Sequence, residues 1–256
     1  MASGKDLELN ETGWWSHWAD VRWNGERSYV MLSSVFDEYF FNRAGFVGCA
    51  DGQDDVAKIE AEFEASERPP CFSVQGGCEE LIGKLNARGY TKFDEMAVMQ
   101  LGQPRFKKAT SLKVLRGPDV KTTEWAATYL LSFYGDLSLN EPVARIVERL
   151  ALEPSVALFA GEKDGKTVGV LGAFRSPGLL GVYCIGTLGE HRGMGIAGAL
   201  IHEVSAVASA EGRLLVLQTI VSDRVEDFYT RGGFRRLYLK HLMRPETSGL
   251  NRPERG

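Results

Sequence analysis

Cysteine is scarce: four residues in 256, at Cys49, Cys71, Cys78 and Cys184, with no CxxC pair. A chain this long builds a core without a disulfide framework, so the expectation is four buried or half-buried thiols in a reducing cytoplasm. Histidine is as sparse. His202-Glu203 opens like a zinc-protease HExxH, but the fifth position is Ala206, so no metal site is expected. No apolar run is long enough to cross a bilayer, and the first twenty residues carry acids and three tryptophans but no apolar leader core. Nor is there an excess of either charge. Thirty Lys and Arg against 34 Asp and Glu leave −4, which gives no general drive toward nucleic acid or an anionic membrane. What remains is a globular composition, 44% hydrophobic and 25% charged. The length allows one large domain or two modest ones.

The C-terminal half reads most clearly. Strand candidates lie at 112–116, 155–160, 167–174, 179–187, 214–220 and 234–243. The second and third are joined by the polar turn 161–165, a hairpin signal. Between the first two strands, helical periodicity places Trp125, Ala126, Tyr129, Leu130 and Phe133 on one face. It then places Val143, Ile146, Val147 and Leu150 on the face of a second helix, with Pro142 in its first turn. A helix with the stripe Ile196, Leu200, Ile201, Val204 and Val207 ends before Gly212. A short one, capped by Ser222 or Asp223, ends at Gly232-Gly233. The order β-α-α-β-β-β-α-β-α-β is an α/β sheet that mixes hairpins with helical crossovers. The tail from 247 to 256 is polar and reads as loose.

The chemistry concentrates in 191–198. Gly193, Gly195 and Gly198 spell GxGxxG, but five residues separate them from the preceding strand. Only 58 residues remain after Gly198, too few for a doubly wound dinucleotide sheet to grow from this motif. The same stretch read as Arg192-x-x-Gly195-x-Ala197 is an anion cradle: small residues admit a close backbone approach, and the first-turn amides of the next helix point outward unpaired. Ser222-x-x-Val225-x-x-Phe228-Tyr229 comes one strand later and runs to Gly233-Phe234. Together these segments resemble the GCN5-related N-acetyltransferase (GNAT) superfamily, whose pyrophosphate loop reads Arg/Gln-x-x-Gly-x-Gly/Ala. The resemblance covers 112–243. It implies the mixed central sheet of the GNAT acyl-CoA N-acyltransferases.

The resemblance also implies a site. Arg192, Gly193, Met194, Gly195, Ile196 and Ala197 would hold the diphosphate of acetyl-CoA, the co-substrate. Backbone groups at Ile185 and Thr187 would pair with the pantetheine arm, and Ser222 stands where the family has an Asn that contacts the cofactor. Tyr229 would be the acid that protonates the departing thiolate. The implied reaction is direct attack of a primary amine on the thioester, the acceptor being a small molecule ahead of a peptide or protein. No acid lies in 179–187, so no base is named and the amine proton leaves through water. A non-catalytic acyl-CoA sensor or interaction module on the same fold is the rival reading, and the resemblance admits a homodimer.

Residues 1–103 have no such loop, yet their end echoes the second half. Leu85-Asn-Ala-Arg-Gly89-Tyr90 and the run to Met99 parallel Tyr229-Thr-Arg-Gly-Gly233-Phe234 and the run to Met243. A helix bearing Val56, Ile59 and Phe63 and a strand at 71–74 lie upstream. The expectation is a smaller, degenerate GNAT-like α/β lobe at 1–103 and a catalytic lobe at 104–256. Trp14, Trp15, Trp18 and Trp23, with Tyr39-Phe40-Phe41, are read first as a core or lobe interface and second as a substrate-cleft wall.

Overall fold

The computed structural model describes residues 3–49, 53–109 and 112–246, so the reading of 247–256 as a loose tail lies outside the described residues. The fold is mixed α/β. In chain order its elements are α1 (Gly4–Trp15), β1 (Asp20–Asn24), β2 (Ser28–Leu32), β3 (Arg43–Phe46), α2 (Gln53–Ala65), β4 (Phe72–Gln75), α3 (Glu79–Ala87) and β5 (Tyr90–Leu101). The second half gives β6 (Lys113–Arg116), α4 (Thr122–Phe133), α5 (Asn140–Leu150), β7 (Val156–Lys163), β8 (Lys166–Ser176), β9 (Leu179–Thr187), α6 (Ile196–Ala210), β10 (Leu214–Ile220), α7 (Glu226–Arg231) and β11 (Phe234–Pro245).

Local chemistry sets several boundaries. Ser3 and Asp6 form a reciprocal capping box that starts α1. The β7–β8 hairpin turns on Asp164-Gly165 alone, at φ 52° and 76°, so both strands run further into the expected turn at 161–165. Two consecutive left-handed residues are what a two-residue hairpin needs to match strand twist, and Asp-Gly supplies them. Ser222 and Asp223 do not cap α7. They lie in a short 3-10 turn, and the helix starts at Glu226 after Arg224 at φ +56°.

All eleven strands join one sheet in the order β1-β2-β3-β4-β11-β5-β10-β9-β8-β7-β6. The two long strands at its centre have changed sides. β5, from the first half of the chain, pairs antiparallel with β10; β11, the last strand, pairs antiparallel with β4. They also run along each other, from Phe234 opposite Leu101 to Pro245 opposite Tyr90. The two segments whose sequences echo each other therefore meet across a local pseudo-two-fold. Each comes after a short helix and a glycine in the left-handed region, Gly89 at φ +85° and Gly233 at φ +103°. Elsewhere β3 with β4, and β9 with β10, are parallel.

The helices cover both faces. α4, α5 and the tryptophan cluster pack one face around Trp14, Trp125 and Leu130; α6 packs another part around Ile196, Leu200 and Val204. α2 and α3 cover the first-half strands through Ile59, Phe63 and Leu85. α1 reaches across to the second half, where Trp14 stacks on Tyr183 with ring centres 5.1 Å apart. Trp14, Trp15 and Trp18 are thus core, as the first reading of them had it, whereas Trp23 on β1 is half-buried and packs on Tyr29 outside that cluster.

An ionic cluster is buried where α1 crosses the exchanged strands. Lys240 of β11 contacts Glu11 at 2.6 Å and also Glu8; Arg43 of β3 meets Glu11 at 2.5 Å. All four side chains are at most 5% exposed. Tyr29 donates to Glu8 at 3.1 Å, and Tyr183 to Asn10 at 2.7 Å.

The expectation of four thiols needs correction. Cys49 and Cys78 form a disulfide, while Cys71 and Cys184 are free and buried. The fold brings the end of the segment after β3 to the start of α3, a meeting that no local spacing announces. Among the described residues no helix is long and apolar enough to cross a membrane, and no cluster of His, Cys, Asp or Glu could hold a metal ion.

Candidate active site

The site starts from a parting of strands. β9 and β10 pair from Leu179–Leu214 to Val182–Leu217 and no further, although β9 continues to Thr187 and β10 to Ile220. On its other side β9 carries an irregularity: its register with β8 shifts between Val170 and Gly172, and Cys184 takes φ +53°. A bulge bends a strand and re-aims the residues beyond it, so β9 swings away from β10 and opens a wedge. Gly186 lets α4 come close on this stretch, since a Cβ there would lie 2.9 Å from that of Ser132.

Beyond β9 the chain turns through Gly193 and Gly195, at φ +79° and +77°, into α6. Ala199 makes the first bond of that helix to the Gly195 carbonyl at 2.9 Å, so the amides of Ile196, Ala197 and Gly198 precede the helical ladder. With the helix dipole behind them they form a positive terminus at the mouth of the wedge. Arg192 adds its charge and donates to the Ser132 carbonyl at 3.0 Å, which ties the loop to α4.

These parts line one cleft of about 980 Å³. Of the residues expected from the sequence, Ile185, Thr187, Arg192, Gly193, Gly195, Ile196, Ala197, Ser222 and Tyr229 all lie on its wall. Met194 does not: it is 55% exposed, and its sulfur lies 3.8 Å from the Lys163 ammonium on the β7 side. Ser222 lines the cleft, but its hydroxyl donates to Asp94 at 2.6 Å. Ser132 Oγ, Thr187 Oγ1 and His191 Nδ1 are buried without a hydrogen-bond partner among the described residues, and all three residues line the cleft. Buried polar atoms left so are costly unless something else meets them. Helix-terminal amides, an arginine and orphaned hydroxyls suit an elongated polar ligand with an anionic end.

Tyr229 stands at the inner end, 8% exposed. Burial, helped by the nearby Asp223 carboxylate, pushes its phenol up, so it holds its proton throughout the neutral range. Next to it the cleft opens into a second chamber of about 170 Å³. Phe133, Ile185, Asp223, Val225 and Tyr229 line both spaces and mark the junction. The chamber's far wall comes largely from the first half of the chain: Trp15, Glu38, Phe40 and Phe41, with Tyr134 of the α4 terminus. Trp15, Phe40 and Phe41 belong to the aromatic groups whose second reading was a cleft wall. Glu38 was missed. A lone acid in a loop gives no local signal, and only its place beside that aromatic run could have drawn attention to it.

Residues 154–236 match the family model of the acetyltransferase (GNAT) domain. No curated protein matches the sequence. Among solved structures, a GCN5-related N-acetyltransferase from Kribbella flavida is similar over 98% of each chain, with a TM-score of 0.69 and 16% identity. A GCN5-related N-acetyltransferase from Sphaerobacter thermophilus covers 85% of this chain and 76% of its own, at TM-score 0.66 and 18% identity. A functionally unknown conserved protein from Staphylococcus epidermidis covers 89% of this chain and 94% of its own, at TM-score 0.65 and 15% identity. At these identities the likeness speaks for the fold.

Proposed function

We propose, from the premise that residues 154–236 form a GNAT acetyltransferase domain, that the protein transfers the acetyl group of acetyl-CoA to a primary amine by direct attack. The domain supports acyl transfer in general. The finer reading is carried by one observation: the α6 terminus, Arg192, the free edge of β9 and a protonated Tyr229 line a single cleft. The diphosphate would lie on the amides of 196–198 beside Arg192. The pantetheine arm, whose amides mimic a strand, would add to β9 at Ile185 and Thr187 where β10 has departed.

In this reading the wedge does the positioning and Tyr229 the proton chemistry. An amine entering from the chamber meets the thioester carbonyl at the junction. A backbone amide of the bent stretch of β9 supports the oxygen as charge develops on it. The carbon–sulfur bond breaks, Tyr229 gives its proton to the departing sulfur, and the proton shed by the attacking nitrogen leaves through water, from which the phenol regains its own. A phenol pushed up by burial suits this role because it arrives protonated, and the thiolate it meets has formed in the same water-poor place. Residues 1–103 act as a silent lobe of related build that contributes β5 and the chamber wall, with 104–256 as the working lobe.

The test is a calorimetric titration with acetyl-CoA and then thiol release over an amine panel. Tyr229→Phe should leave acetyl-CoA affinity within about twofold and lower kcat roughly a hundredfold, the lower range for a removed general acid. Failure to bind acetyl-CoA would remove the proposal. Full activity in the Phe variant would remove Tyr229 from it.

A further inference from the structure

We propose that the chamber beside Tyr229 selects a short amine whose far end carries a second positive charge, and that Glu38 is the residue that selects it. The inference rests on the acetyl-transfer reading, which fixes where the reacting nitrogen must be. It has to reach the thioester at the junction of cleft and chamber, so the rest of the acceptor extends toward the far wall.

Size sets the first limit. The chamber holds about 170 Å³. A cavity of about 150 Å³ accommodates benzene, so the acceptor has roughly six non-hydrogen atoms inside it.

Charge sets the second. The far wall is aromatic, from Trp15, Phe40, Phe41 and Tyr134, and Glu38 is the carboxylate among them. Tyr134 donates its hydroxyl to Glu38, which holds the carboxylate in place, and a carboxylate can accept from several donors at once. Aromatic faces around a fixed carboxylate favour an organic cation, through ring quadrupoles as well as the direct attraction. An acceptor ending in a carboxylate would face Glu38 with like charge. One ending in a methyl group would desolvate Glu38 and offer it no donor.

Gln218 of β10 points the same way. Tyr183, the polar group beside it, donates its own proton to Asn10 at 2.7 Å. Among the described residues neither the oxygen nor the nitrogen of the Gln218 side chain has a hydrogen-bond partner, although both are buried at the chamber wall, so the oxygen lacks a donor. An ammonium or amine N–H supplies one.

The experiment compares three probes of equal chain length: putrescine, butylamine and γ-aminobutyrate. Each is titrated by calorimetry with and without CoA, then assayed by thiol release with acetyl-CoA. Putrescine should bind, and its kcat/KM should exceed that of butylamine at least tenfold, with γ-aminobutyrate last. Glu38→Gln should cut the putrescine value roughly thirty- to hundredfold, as removing one partner of a desolvated charge pair does, and collapse its advantage over butylamine. Glu38→Asp should keep the order, and an unchanged acetyl-CoA affinity shows each variant folded. Preference for butylamine or γ-aminobutyrate overturns the inference, as does a ratio that survives Glu38→Gln. So does a chamber that takes no putrescine in a protein that binds acetyl-CoA. Absence of acetyl-CoA binding instead defeats the transfer reading, and the putrescine titration alone then decides the chamber: binding lost in Glu38→Gln supports it, no binding overturns it.

Discussion

Replacing Lys240 with Met tests how the two halves of the chain are held together. The Lys240 ammonium is buried against Glu11 and Glu8, and the three side chains are 1% to 5% exposed. Without it Glu11 keeps Arg43, but Glu8 loses its ion-pair partner and keeps only neutral hydroxyls, those of Tyr29 and Tyr238, among the described residues. The site then carries two carboxylates and one guanidinium, an uncompensated charge in the core. Breaking a buried pair from one side costs about 3–5 kcal/mol, a large share of a stability of about 5–15 kcal/mol. The variant has one escape, which is to protonate Glu8. Burial already raises that carboxyl above its usual range, with Lys240 as the main opposing influence. Losing Lys240 raises it further. A folded-state value above the unfolded one stabilises below the unfolded value, about 4.3, and that contribution is lost as pH rises toward the folded value. The penalty should therefore grow between pH 5 and pH 8, by at most about 1.4 kcal/mol per unit over the span between the wild-type and variant folded values of Glu8. Urea unfolding monitored by tryptophan fluorescence reads this directly, because Trp14 and Trp15, at the end of α1, pack in the core. Adding Glu8→Gln to Lys240→Met should restore part of the loss and flatten the pH dependence. A cost below about 1 kcal/mol at pH 8 would refute the reasoning, as would a penalty equal at both pH values or a double variant weaker than the single one.

Two further outcomes concern the backbone. Gly195→Val meets no neighbour within 4 Å, so its cost is the left-handed φ of +77°. At about 1–2 kcal/mol, relieved by distortion of the loop, acetyl-CoA affinity should fall roughly tenfold. Gly212→Val, at φ +63° beyond the far end of α6, carries the same conformational cost and should leave affinity unchanged in the same titration. A fragment of 104–256 would lose β5 from the edge of β10, and β11 would lose both its partners. It should aggregate or melt without cooperativity. A fragment that melts sharply in circular dichroism and binds acetyl-CoA like the full chain would show that the exchange is dispensable.

How much of the molecule is legible in the sequence depends on the range of the forces involved. The turn into α6 is local chemistry: two glycines at positive φ and the free amides of a helix start, all within a few residues. Its reading carried through to the cleft. Tyr229 too lines that cleft, because a short helix after a buried strand leaves few places for its side chain; its role stays a proposal. The exchange of β5 and β11 was not legible. Both strands have the same alternation whichever neighbour they take, and register fixes the face a residue points to, not the strand beside it. The echo between Gly89-Tyr90 and Gly233-Phe234 signalled likeness, but nothing in it says that like strands pair with each other. The Cys49–Cys78 bond and the place of Glu38 are hidden for the same reason, since each depends on where a distant segment returns. That pattern bears on the first half's role. A first half without such a glycine loop has little local chemistry to read, and its contribution lies in what it delivers to the second half. β5 supports the far edge of β10 up to Ile220, behind the wedge, while Trp15, Glu38, Phe40 and Phe41 close the chamber. On the proposed reading, changes in 192–197 should therefore act on acetyl-CoA affinity, and changes in the first hundred residues on the choice of acceptor.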